Sequence, residues 1–273
     1  MPGSSAPANR KGSQRLDALR FRGVRGGVIP PHRAMAGLPW TLRQFLSTLS
    51  LTAGVFALFL GALPWIGDLW RFIFARSRDF LGGLDLPLGE QALSLPAGLE
   101  IVLPLLAVTT PQPGAAELWT AGIAAAVVFL LSFALADRFM PARYFLRLLA
   151  ILQASAVIFF AFSGEPFPYQ LQDHVYLLLT AGLVVMGLAP LVLGLTLHLF
   201  DIALWKKLLL TLAVLAHLAV FLPLKAMVHV WLVLHGTAVV MPVLFLVFGL
   251  LMDVMILVAF YGWILSEKGG PRA

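Results

Sequence analysis

The chain reads as an all-α membrane protein: a six-transmembrane helix bundle, N-in/C-in, with a large extracytoplasmic loop between helices 1 and 2. Composition, run length and charge placement lead there. Of its 273 residues, 60% are hydrophobic and 12% charged, against about 45–50% apolar and about 25% charged in soluble domains. The mean hydropathy is +0.92, and the apolar residues run continuously instead of alternating, which selects helices over a barrel. A soluble enzyme, a disordered protein and a disulfide scaffold are all disfavoured. The chain has no Cys, which removes Cys-bound zinc, iron–sulfur clusters and thiol nucleophiles.

Residues 1–36 are rich in Gly, Pro, Ser and Arg with one acid, Asp17, and read as a disordered basic cytoplasmic tail. Arg20, Arg22 and Arg25 suit anionic headgroups or RNA, although a solvated tail accounts for them as well. The Arg-rich, acid-poor start also has the composition of a transit peptide, and Met35 offers a second start site. The transmembrane domain follows over 37–266. Its first span lies between Arg43 and Asp68, 24 uncharged residues, enough at ~1.5 Å each to cross ~30 Å of hydrocarbon.

The outer loop, 68–117, opens with an amphipathic segment over 68–79 that suits an interfacial helix. Pro87, Pro96 and Pro104 interrupt the short apolar runs after it, which points to edge strands or an irregular cap. The second span lies between Glu117 and Asp137, the third runs over about 145–162, the fourth over 176–200 and the fifth over 208–224. The stretch 226–266 has 41 residues, too many for one crossing. Gly236 divides it into an interfacial piece at 226–236 and a sixth span at about 237–266. Residues 267–273 form a short cytoplasmic tail.

With the N-terminus inside, fifteen Lys and Arg fall on the inner side and only Arg71, Arg76, Arg78 and Lys225 on the outer, a strong positive-inside bias. The net charge of +6 therefore reports topology, and no nucleic-acid partner is expected. Arg outnumbers Lys by 14 to 5 and Asn9 is the one Asn, the bias of a GC-rich bacterial genome. The expected location is a bacterial inner membrane.

Phosphate loops, nucleophile elbows, dinucleotide fingerprints and the H-E-x-x-H zinc motif are all missing. The fourth span holds no serine and no histidine follows His235, which leaves no basis for an intramembrane serine hydrolase. What remains is polar residues out of place, since a charge at mid-bilayer costs about 2.5–3.5 kcal/mol even on lenient scales. Asp253 lies ~20 Å from the inner end of the last span and His217 ~14 Å from that of the fifth. Gln153 falls near the same level, and Gly249, one turn before Asp253, admits a close neighbour. Asp253, His217 and Gln153 are therefore candidates for a proton relay or polar site, or for an interhelical hydrogen bond that fixes packing.

A second group lies at the expected outer face: Glu165, Asp173 and His174 from one loop, and Lys225, His229 and His235 from the interfacial piece. Such residues can bind zinc or work on a lipid headgroup. His229 and His235, however, are six apart and point ~120° away from each other on a helix. His198 and His217 differ in depth by ~9 Å, a poor match for bis-histidine haem ligation. No metal and no cofactor are expected.

The favoured function is a non-enzymatic integral membrane subunit or accessory protein of a membrane complex, with lipid and other membrane proteins as partners. The alternative is a small-solute or proton-coupled transporter, or a lipid-modifying membrane enzyme, using Asp253 and His217 or the outer-face histidines.

Overall fold

The computed structural model describes residues 42–80, 87–95, 98–163, 169–197 and 204–267. The basic tail, Glu165, His198 and the last six residues lie outside them. Among the described residues, six helices are long and apolar enough to cross a membrane. We label them α1 (Leu42–Phe80), α2 (Ala115–Ala134), α3 (Met140–Phe162), α4 (Leu171–Leu197), α5 (Leu204–Gly236) and α6 (241–267). A two-stranded antiparallel hairpin, β1 (Leu88–Leu95) and β2 (Leu99–Leu106), sits between α1 and α2.

Three expectations are corrected. The first helix does not stop near Asp68. It continues unbroken to Phe80, so the amphipathic segment is the end of α1 and not a separate interfacial helix. Trp70 and Phe74, both fully buried, hold this extension against the bundle, and the Trp70 indole N–H donates to the Ala219 carbonyl of α5 at 2.8 Å. The fold is also not purely helical, and of the two expectations for the loop it is edge strands that form. The hairpin pairs Leu88 with Leu106 through Leu95 with Leu99, and Gly98, at φ +72°, supplies the left-handed residue of its turn. Pro104 can sit in β2 because the two-stranded sheet makes every strand an edge.

The third correction concerns α5. The proposed interfacial piece 226–236 is continuous with the fifth span in one 33-residue helix. Pro223 lies inside it without ending it. The helix ends at Gly236, where Thr237 takes the unusual φ of +60° with ψ of −178°. A turn of 3-10 helix, Ala238–Val240, then leads into α6.

α6 is not regular. Between Met241–Val243 and Met252–Glu267 the stretch Leu244–Leu251 is wound as a π-helix, a geometry that is rare and frequently found at functional sites.

The core joins β2 to the inward faces of α1, α4, α5 and α6. Close helix approach depends on glycine. A Cβ at Gly194 of α4 would lie 1.9 Å from Thr52 Oγ1 of α1, and one at Gly249 of α6 would lie 2.9 Å from Leu178 of α4. Small residues of this kind let backbones pack where the hydrophobic effect gives no drive between helices.

α2 and α3 stand apart. They pack on each other, yet only 11% of the residues in the most apolar stretch of each are buried, against 56% for α4. At one end Arg147 Nε donates to Ser132 Oγ at 3.1 Å and its guanidinium lies 4.1 Å from the Phe133 ring centre. Arg143 bonds the Leu135 carbonyl and pairs with Asp137. The arm so formed leans on the core chiefly through α3 and the segment 238–243.

Candidate functional site

The buried stripe of α5 runs through Lys207, Thr211, Val214, Leu218, Leu222, Lys225, His229 and Val233. Successive members are three or four apart, the spacing of one helical face. Lys225 and His229 are therefore aimed into the bundle by the same periodicity that buries the leucines. Lys225 is 4% exposed and His229 2%.

Asp253 faces them from α6 and is fully buried. Lys225 Nζ donates to Asp253 Oδ1 and to the Gly249 carbonyl at 3.2 Å. The π-helix has its part here. In it the Met252 N–H is shared between the Gly249 and Val247 carbonyls, and the Gly249 carbonyl also receives the ammonium. A glycine at that position leaves room for Leu178.

His174 comes in from the first turn of α4. Gln170 is the cap: its N–H donates to Asp173 Oδ2 at 3.0 Å, and its carbonyl accepts the His174 N–H at 3.0 Å. This is half of a capping box. The next N–H, of Leu171, donates to Thr110 Oγ1 at 2.6 Å, which ties the helix start to the segment just after β2. So fixed, the His174 ring is fully buried, with its Nε2 3.2 Å from His229 Nδ1. Phe245 and Tyr169 meet it edge-on, with ring centres 5.8 and 6.3 Å away.

In the contact between the two rings one nitrogen donates and the other accepts. With His174 as the donor from Nε2, its Nδ1 is left an acceptor. That nitrogen has no partner among the described residues, and neither does Asp253 Oδ2. The site is a polar string from the start of α4 into the middle of α6: His174, His229, Lys225, Asp253.

No family model, curated protein or solved structure matches the chain. The site is accordingly read from its own chemistry.

The sequence candidates divide. Asp253 is at the centre of the site, but its partner is Lys225 and not His217. His217 lies off the buried stripe of α5, exposed on the bundle side, stacked on Phe221 with a ring-centre distance of 5.4 Å and edge-on to Phe260. Gln153 does not join Asp253 either. Its amide donates to the Val239 carbonyl at 3.1 Å, and it lines a groove of about 440 Å³ between the arm and the core, with Trp231, His235, Gly236 and Leu244.

Of the outer-face group, His174, His229 and Lys225 are drawn inside. Asp173 stays exposed in the first turn of α4, accepting the Gln170 N–H, and His235 stays exposed with its Nδ1 2.8 Å from the Trp231 carbonyl. Among the described residues no three His, Cys, Asp or Glu side chains converge as a metal site requires. The sequence places the members of the string in two separate groups. The signal that joins them is the three-and-four spacing from Lys207 to His229, visible only if the helix is carried through Pro223.

Proposed function

We propose that the protein is a non-enzymatic integral membrane subunit that assembles into a larger membrane complex through its α2–α3 arm. The observation that carries this reading is the contrast in burial between the arm and the core. Two spans contribute only 11% buried residues in their apolar stretches, while Trp119, Ile123, Leu130, Leu131 and Ile151 project outward. Helix association in a bilayer is driven by packing and hydrogen bonding, and an arm that uses little of its surface internally keeps that surface for a neighbour.

The transporter or lipid-modifying alternative needs a hydrated route to its polar groups. Asp253 is fully buried, and neither the arm–core groove nor the small cavity beside Thr52 and Lys207 is lined by it.

The reading includes an orientation. With Lys225 inside the membrane, fifteen basic residues stand on the proposed cytoplasmic side against Arg71, Arg76 and Arg78 on the other, which supports N-in/C-in. A bacterial inner membrane fits the Arg-rich composition, and no cofactor or nucleic acid is assigned.

The test is purification from native membranes in a mild detergent, with photo-crosslinking residues placed at Ile123 or Leu130 of the arm and, as control, at Val184 of α4. The expected result is one co-purifying membrane protein at fixed stoichiometry that crosslinks from the arm. A lone monomer, or crosslinks to lipid alone from every position, overturns the proposal.

A further inference from the structure

We infer that His174, His229, Lys225 and Asp253 form one proton-binding site, in which a proton taken up by the histidine pair discharges the Lys225–Asp253 ion pair. Four titratable side chains from three helices meet in the interior, each at least nine-tenths buried. Buried polar groups are nearly always paired, so each exception calls for a reason. Here the exceptions sit at the two ends of the string, His174 Nδ1 and Asp253 Oδ2. With His174 donating to His229 from Nε2, the first is an imine nitrogen with no donor, and the second is a carboxylate oxygen with no partner among the described residues. Both are places where a proton can be added. A metal cation is disfavoured by the ammonium of Lys225 in the same cluster.

The transfer balances without any other reactant. An N–H bond forms at His174 Nδ1 with a proton from solvent. The Nε2–H bond of His174 breaks as that proton moves along the existing 3.2 Å contact to His229 Nδ1. His229 is then an imidazolium one helical turn from the Lys225 ammonium, where side chains at i and i+4 lie about 5–6 Å apart. Two like charges that close in a low-dielectric interior repel strongly, so Lys225 passes a proton to Asp253 Oδ1, already its hydrogen-bond acceptor. One N–H bond breaks and one O–H bond forms. The four groups begin with no net charge and end with one positive charge on His229, equal to the one proton taken up. The ion pair that joins α5 to α6 becomes a neutral hydrogen bond.

The remaining charged or titratable neighbours do not compete for the proton. Tyr169, before α4, meets His174 through its ring edge. Asp173 of α4 is turned outward, where it accepts the Gln170 N–H, and Tyr176 is half-buried one turn further on. From α1 and the hairpin, Asp68, Arg71 and Glu90 pair with one another at the exposed surface. On α6, Asp253 is the carboxylate of the buried segment.

The experiment is infrared difference spectroscopy of the full-length protein in lipid nanodiscs, titrated from pH 8 to pH 4. The carbonyl stretch of a protonated carboxyl should appear on acidification and be missing in Asp253→Asn. Because that variant leaves Lys225 unpaired and can fail to fold, Lys225→Met/Asp253→Leu serves as a second reference, since an apolar pair of similar volume replaces a buried ion pair well. In His229→Gln and in His174→Gln the band should be lost or its midpoint moved by about one pH unit, a tenfold change in proton affinity. A band with the parent's midpoint in both histidine variants overturns the proposal, as does the lack of any Asp253 carboxyl band in the parent. The readout needs no partner protein, so it stands or falls apart from the subunit reading.

Discussion

Lys225 of α5 grips α6 at two points one helical turn apart, the carboxylate of Asp253 and the backbone carbonyl of Gly249. Removing one member of a buried pair strands the other in the interior, at a cost of about 3–5 kcal/mol. Lys225→Met and Asp253→Leu alone should each lower stability by that order. The double variant should recover most of the loss, because replacing both charges by packed apolar groups is often neutral or stabilising. Unfolding by denaturing detergent, followed by tryptophan fluorescence, measures the cycle. Additive losses in the double variant would refute a direct pair.

Gly194 should tolerate no side chain. A methyl there would land 1.9 Å from Thr52 Oγ1 and 2.9 Å from Thr52 Cβ, so Gly194→Ala forces α1 and α4 apart, with an overpacking cost of about 1–3 kcal/mol. Adding Thr52→Ala removes the hydroxyl clash but keeps the Cβ contact. It should therefore restore part of the stability and not all of it. Full independence of the two substitutions would show that the helices do not meet there.

Thr237 stores strain. A β-branched residue at φ +60° and ψ −178° occupies a region suited to glycine, and such residues cost about 1–3 kcal/mol each. Its hydroxyl, moreover, has no partner among the described residues. Thr237→Gly should raise stability by about 1 kcal/mol after the entropy cost of glycine is counted. Thr237→Pro should lower it, because proline fixes φ near −65°. A thermal melt of the two variants in one detergent decides the sign.

Tyr169 carries a pH signature outside the spans. Burial, reinforced by the Asp173 carboxylate, pushes its phenol up to about 12. The unfolded chain loses that proton near pH 10. The stability gained by keeping the phenol neutral is thus complete below about pH 10 and is lost as the pH rises towards about 12. Ultraviolet titration of the parent against Tyr169→Phe should reveal a phenolate forming in the most alkaline range. Tyr169→Phe should also lose less stability than the parent between those values.

The six long apolar helices and the break at Gly236 are legible because run length and a helix-ending glycine are local signals. Asp253 is legible for the same reason, since a carboxylate inside an apolar run stands out in any window. Its partner is not. Reading the fifth span as ending near Pro223 places Lys225 at a surface, where a lysine snorkels comfortably. Proline inside a transmembrane helix is tolerated because neighbours can satisfy the freed backbone, and α5 runs on for three further turns. That continuation brings Lys225 level with Asp253 and leaves His217 facing Phe260. The length of α1 escapes for a tertiary reason, since the amphipathic end is held by Trp70 and Phe74 against partners remote in sequence.

The hairpin has a consequence for the surrounding lipid. A two-stranded sheet leaves one edge of each strand without a strand partner among the described residues, and hydrocarbon offers nothing to bond those N–H and C=O groups. β2 packs beside Gly67 of α1, and the Thr110–Leu171 bond sets the start of α4 close behind it. On the proposed topology the bilayer surface lies at the level of Gly67 and Leu171, with His174 one turn beneath it. On that placement residues 42–66 of α1 cross the hydrocarbon, roughly 37 Å at ~1.5 Å per residue. So placed, the bundle would not slide through a thicker or thinner membrane to a better fit. The lipid would have to stretch, thin or let the whole protein tilt, and bilayer thickness would then be a force applied to the helix end that holds His174.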